Sequence, residues 1–138
     1  MINDVCLNKA ANIRRCIARI AQEYGNDLSR LTDFTHQDAI VLNLQRACES
    51  SIDLAMHWVA EHKLGTPQTS RDAFGILASA KLLDEDLALR LQRMVGFRNI
   101  AVHDYTQIKV PVLQNILDHH LGDFEAFVII AQNALAKN

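Results

Sequence analysis

The chain has 138 residues, 49% of them hydrophobic but only 6% aromatic, with a formal net charge of −2 and a pI near 6.3. The length fits one domain, 1–138, with room for a sizeable core, and the acidic balance argues against a general nucleic-acid binder, which is usually basic. Abundant Leu, Ala, Ile and Val with only 5 Gly and 2 Pro favour a helical bundle with an aliphatic core over a sheet.

The first helix is expected over Asn3 to Tyr24, where Ile13, Ile17, Ile20 and Tyr24 recur at three- and four-residue spacing on one face. Gly25-Asn26 is its stop. The second is expected from near Thr35, with Asp38 three residues on as a capping-box variant, to about Leu64, closed by Gly65 and Pro67. Such a long helix calls for packing on both flanks, a role a partner subunit could fill. Thr69 with Asp72 repeats the capping pattern and opens a short helix to about Leu82. Asp84 caps a fourth helix that ends near His103. Pro111 suits the first turn of a last helix reaching about Lys137. No period-two strand pattern or internal repeat is present, so the fold class is all-α, an up-and-down bundle of four to five helices.

The end of the fourth helix carries the chemistry. At about 100° per residue, Leu87, Leu91, Met94 and Val102 share one arc, with Val95 at its edge, and Arg98 falls inside it. An unpaired charge on an apolar stripe is costly, so Arg98 belongs at a seam or cleft with an acid or anion beside it. His103 follows five residues later, about 140° around an ideal helix. Arg98 and His103 therefore cannot share one face of a straight helix; either the helix ends or a second copy of the chain completes the site. Arg98 is a permanent phosphate clamp, His103 titrates near neutrality, and Tyr105 adds a hydroxyl, a set that suits phosphodiester cleavage. Arg90, Arg93, Arg98 and Lys109, against only Asp104, make a local basic patch that could hold a phosphate backbone.

Other constellations read as structural. Cys6, Cys16 and Cys48 form no Cys-x-x-Cys pair and suit small buried hydrophobes in a reducing cytosol. Asp53 and His57, four apart, are expected to be a hydrogen-bonded pair rather than metal ligands, and no metal or cofactor is expected. His119-His120 reads as exposed helix surface. Ser50-Ser51 lacks elbow glycines. The N-terminus shows no targeting signal, and no apolar run nears the ~18 residues of a membrane span.

The run Arg98-x4-His103-x-Tyr105 resembles the signature of HEPN-domain ribonucleases, and its His-x-Tyr ending resembles the HepT family of toxins. Further segments are similar to that family: Asp38–Leu44, Ser51–His57, Gly65-Thr66-Pro67, Arg71–Phe74 and the lead-in Met94–Asn99. The resemblance implies a HEPN-like fold and a cytoplasmic, metal-independent RNA endonuclease acting as the toxin of a toxin–antitoxin pair. Arg98 and His103 would be catalytic, with Asn99 and Asp104 in support. It implies a homodimer with two motif copies facing one cleft, an RNA substrate (tRNA or mRNA) rather than DNA, and no membrane. It also implies a minimal nucleotidyltransferase antitoxin that silences the toxin by placing AMP on Tyr105. Two other readings remain: a non-catalytic dimeric helical scaffold with Arg98 in an ion pair, and a HEPN module that binds a nucleotide without cutting RNA.

Overall fold

The computed structural model describes residues 4–136. Six α-helices follow in order: α1 Asp4–Tyr24, α2 Phe34–Glu61, α3 Ser70–Ser79, α4 Glu85–His103, α5 Val110–His119 and α6 Leu121–Leu135. Short 3₁₀ turns lie at Leu28–Leu31 and Tyr105–Gln107. Among the described residues there is no strand, and no helix is long and apolar enough to cross a membrane. The expected limits at Asn3 and Lys137 lie outside the described residues.

α2 is the central element. It packs against α1, α3, α4 and α6, so its 28 residues are flanked from within the chain and need no partner subunit for cover. Its buried side, including Ile40, Leu44, Ala47, Leu54, Ala55 and Trp58, meets one contiguous core. That core is less aliphatic than composition suggests. Trp58, Phe74 and Phe127, from α2, α3 and α6, interlock at its centre, with ring centroids 5.5 and 6.1 Å apart around Phe127. Few aromatics suffice because each removes a large area from water.

The helix ends show where local pattern decides and where it misleads. Thr69 and Asp72 form the capping box at α3, and the Asp84 side chain accepts from Leu87 N at the start of α4. Asp38, by contrast, caps nothing: the α2 N-cap is Asp33. Nor does Gly65 end α2. Lys63 takes φ +54°, and Lys63 N and Leu64 N close onto the carbonyls of Ala60 and Val59, a left-handed lysine closure three residues earlier than expected. Lys81, at φ +63°, ends α3 in the same way.

The single last helix is in fact two, which raises the helix count to six. The chain breaks at His120, where Arg90 Nε holds Asp123 through both carboxylate oxygens at 3.1 Å and His120 Nδ1 lies 3.3 Å from Asp123. These contacts fix the α5–α6 corner from α4, a long-range cause that periodicity cannot reveal. His120 is accordingly half-buried, while His119 is exposed as expected.

Candidate active site

α4 presents a buried stripe of Leu87, Ala88, Leu91, Met94, Val95, Phe97 and Ala101. Val102 does not join it and stands exposed, because α4 turns its last face outward as it nears its end. Arg98 sits at the edge of the stripe, its side chain mostly covered. The expected acid beside it is Glu49 on α2, with Arg98 Nη1 3.7 Å from Glu49 Oε2. Arg98 Nη2 donates to Ser70 Oγ at 3.4 Å, at the first residue of α3. The buried Nε of Arg98 has no hydrogen-bond partner among the described residues. A buried N–H normally finds one, so this guanidinium holds donor capacity in reserve. It faces an open groove of about 520 Å³ lined by Glu49, Ile52, Asp53, Met56, Ser70 and Arg98.

Cys48 lies beneath this guanidinium. Burial pushes its thiol up to about 12 despite the nearby positive charge of Arg98, and Sγ turns to Met94 O at 3.7 Å. It is a packing residue rather than a nucleophile. All three cysteines are buried and form no disulfide, in keeping with small buried hydrophobes.

His103 is the last residue of α4 and is exposed; its ring makes no hydrogen bond within the described residues. Five residues along a helix separate it from Arg98 by about 7.5 Å of axial rise, and it does not line the Arg98 groove. A single protomer therefore offers the clamp and the titratable group on different faces. Asp104 leaves the helix at φ −153°, ψ 66°, closes its N–H onto Ile100 O at 2.8 Å and accepts from Thr106 Oγ1 at 3.1 Å. That is helix-ending turn chemistry. Asn99 is exposed on α4 and free to meet a ligand.

Tyr105 opens the 3₁₀ turn and remains partly exposed. Its hydroxyl donates to Asp38 Oδ1 at 2.5 Å, across 67 positions of sequence. Burial, then the hydrogen bond to Asp38 and its charge, push the phenol well above its ordinary range.

The sequence reading missed Glu49, Ser70 and Asp38. The position of Arg98 demanded an acid, but nothing local said which one. The remaining candidates are structural. Asp53 pairs with Lys9 at 3.1 Å, and the His57 ring lies 3.8 Å from Glu61 rather than serving a ligand set. Ser51 Oγ donates to Ala47 O, and Ser50 Oγ accepts from Asn12. Among the described residues no cluster of His, Cys, Asp or Glu could hold a metal ion. The basic patch is divided. Arg90 and Arg93, with Arg71, line a second groove between α4 and α5, away from the Glu49 side of Arg98.

Residues 13–130 match the family described as Ribonuclease HepT-like. The chain is 48% identical over 127 residues to the mRNA nuclease HepT of Shewanella oneidensis, covering 92% of this chain and 96% of that protein. Its fold superposes with a TM-score of 0.91 on the tri-AMPylated Shewanella oneidensis HEPN toxin in complex with MNT antitoxin, 47% identical, covering 96% of this chain and 99% of that one. A toxin–antitoxin structure with AMP-PNP matches at a TM-score of 0.90 and 46% identity, over 94% of this chain and 99% of the other.

Proposed function

Since the chain belongs to the HepT-like ribonuclease family, we propose that it is a toxin that cleaves RNA at Arg98 and His103 and is silenced when a nucleotidyltransferase antitoxin attaches AMP to Tyr105. The relative named as an mRNA nuclease favours mRNA as substrate, cut in the cytoplasm. The observation that carries the reading is Arg98: a mostly covered guanidinium, loosely held at 3.7 and 3.4 Å, with its Nε unpartnered beside an open groove. A phosphate in the groove can replace the long contacts of Nη1 and Nη2 with shorter, charge-assisted bonds.

The chemistry needs only side chains of this chain and its copy. The RNA 2′-oxygen attacks the adjacent phosphorus, the bond to the leaving 5′-oxygen breaks, and the 2′-proton passes to His103. A second His103, or the same one after protonation, donates to the 5′-oxygen. Arg98 binds the scissile phosphate and stabilises the charge that grows on its oxygens. The products are a 2′,3′-cyclic phosphate and a 5′-hydroxyl, and DNA is excluded because it lacks the nucleophile. Because Arg98 and His103 diverge within one protomer, the working unit is a homodimer with both motif copies at one cleft. AMP on Tyr105 adds a phosphate close to the motif, where it competes with RNA for Arg98.

The test incubates unmodified protein, verified by intact mass and made without its partner, with mRNA and tRNA in chelator. Cleavage should occur and should vanish in Arg98→Ala and in His103→Ala. Activity in both variants would refute the mechanism. A fully inert wild-type protein would favour the scaffold or nucleotide-binding readings instead.

A further inference from the structure

Among the described residues, Asp38 is not the α2 cap, enters no salt bridge, and has as its hydrogen bond the one it accepts from Tyr105 Oη. That contact joins the start of α2 to the turn after α4 and places a carboxylate oxygen on the hydroxyl proton of a partly exposed tyrosine. From this juxtaposition we infer that Asp38 is the base through which this chain activates its own Tyr105 for nucleotidyl transfer, so that the target protein supplies part of the catalytic apparatus of its modification. The inference rests on the reading of Tyr105 as the acceptor of AMP.

The step is balanced as follows. Tyr105 Oη forms a bond to the α-phosphorus of a nucleoside triphosphate, the bond from that phosphorus to the bridging oxygen breaks, and pyrophosphate leaves. The phenolic proton passes to Asp38 and then to water. With the O–H aimed at Asp38, the oxygen lone pairs are left free of that carboxylate, and the residue as a whole is partly exposed. A free phenol is a weak nucleophile at neutral pH, and here burial and the neighbouring carboxylate hold the proton on more firmly than usual. The hydroxyl therefore cannot react by prior ionisation, and the proton must be taken during attack. Asp38 is the charged group that acts on Tyr105; His103 and Asp104 precede it on the chain and form no hydrogen bond to it.

The experiment is single-turnover AMP transfer by the antitoxin, with ATP and Mg²⁺ saturating, followed by intact mass on wild type, Asp38→Asn and Asp38→Glu from about pH 6 to about pH 9. Asp38→Asn should slow the transfer about a hundredfold at neutral pH. Its rate should climb about tenfold per pH unit as hydroxide replaces the lost base, and Asp38→Glu should recover most of the wild-type rate. An Asp38→Asn protein modified at the wild-type rate would overturn the inference. So would one that is slower only in its affinity for the antitoxin, with the wild-type pH profile retained, since that marks a merely structural contact. Failure of wild type to accept AMP would instead overturn the reading of Tyr105.

Discussion

If Arg98 clamps the scissile phosphate as proposed, Glu49 competes with substrate for it, and removal of Glu49 should make the enzyme faster at limiting RNA. The two charges sit 3.7 Å apart, with side-chain exposures of 21% for Arg98 and 43% for Glu49. At that distance a pair of unit charges attracts by about 1 kcal/mol in water and about 4–5 kcal/mol at an effective dielectric near 20. The exposure of Glu49 places the pair near the watery limit, and measured pairs of this kind contribute about 0.2–1 kcal/mol. A phosphate docking on Arg98 must displace or share that interaction. Glu49→Gln keeps the shape of the side chain, removes the competing charge and leaves Ser70 to orient Nη2. The expected gain is at most about 1 kcal/mol, or about fivefold in kcat/KM at low substrate. The assay is initial cleavage of a fluorescent RNA well below KM, across a salt series. The gain should shrink as salt rises, because the released attraction is itself screened. A loss of activity in Glu49→Gln would refute the reasoning and make Glu49 a part of the cleavage machinery.

Three further outcomes follow from the fold. A Cβ on Gly96 would stand 2.6 Å from Arg71 Nη2, the far end of a flexible side chain that can swing aside. Gly96→Ala should therefore collect the helix propensity of alanine, about 1 kcal/mol, and raise the melting temperature by about 3–4 °C in calorimetry, whereas a lower melting temperature would mean that Arg71 is fixed. Lys63→Gly and Lys81→Gly should each stabilise by about 0.5 kcal/mol, since relief of the left-handed conformation outweighs the added freedom of the unfolded chain; the urea midpoint should rise at unchanged m-value. The hydrogen bond from Arg14 on α1 holds the Glu125 carboxyl on α6 below its ordinary range. Its stabilising effect is present above the unfolded-state value near 4.5 and is lost as pH falls through the lower folded value, so the urea midpoints of wild type and Glu125→Gln should converge between about pH 6 and about pH 3.

What was legible in the sequence was local. The capping box at Thr69 and Asp72, the Asp84 cap and the end of α4 at His103 each rest on contacts within about four residues, and each lies where the pattern places it. The need for an acid beside Arg98 was also legible, because a charge on an apolar stripe must be compensated. The identity of that acid was not. Glu49 reaches Arg98 across 49 positions, Ser70 across 28, and Asp38 reaches Tyr105 across 67. Asp38 was misread for a physical reason: a start near Thr35 would put it at the capping-box position, but α2 begins at Phe34 after the N-cap Asp33, and the carboxylate of Asp38 turns instead to Tyr105.

The same separation bears on how, in the proposed reading, one short motif would serve two reactions. Arg98 lies mostly covered between α2 and α3, with only long contacts to Glu49 and Ser70, which a phosphate would replace in the proposed reading. Tyr105 stands beyond the last turn of α4, tied down by one hydrogen bond to the start of α2. In the proposed reading, the hydroxyl that enters the active site of another protein has to be accessible, and the guanidinium that holds a scissile phosphate has to be confined. α4 spans both demands. Its stripe from Leu87 to Ala101 anchors Arg98, and its termination at Asp104 releases Tyr105 from the helix within seven residues. Lengthening α4 by a single residue would carry the Tyr105 hydroxyl about 100° around the axis and about 1.5 Å along it, away from Asp38. The position of the helix end is thus as much a functional feature as the residues that flank it.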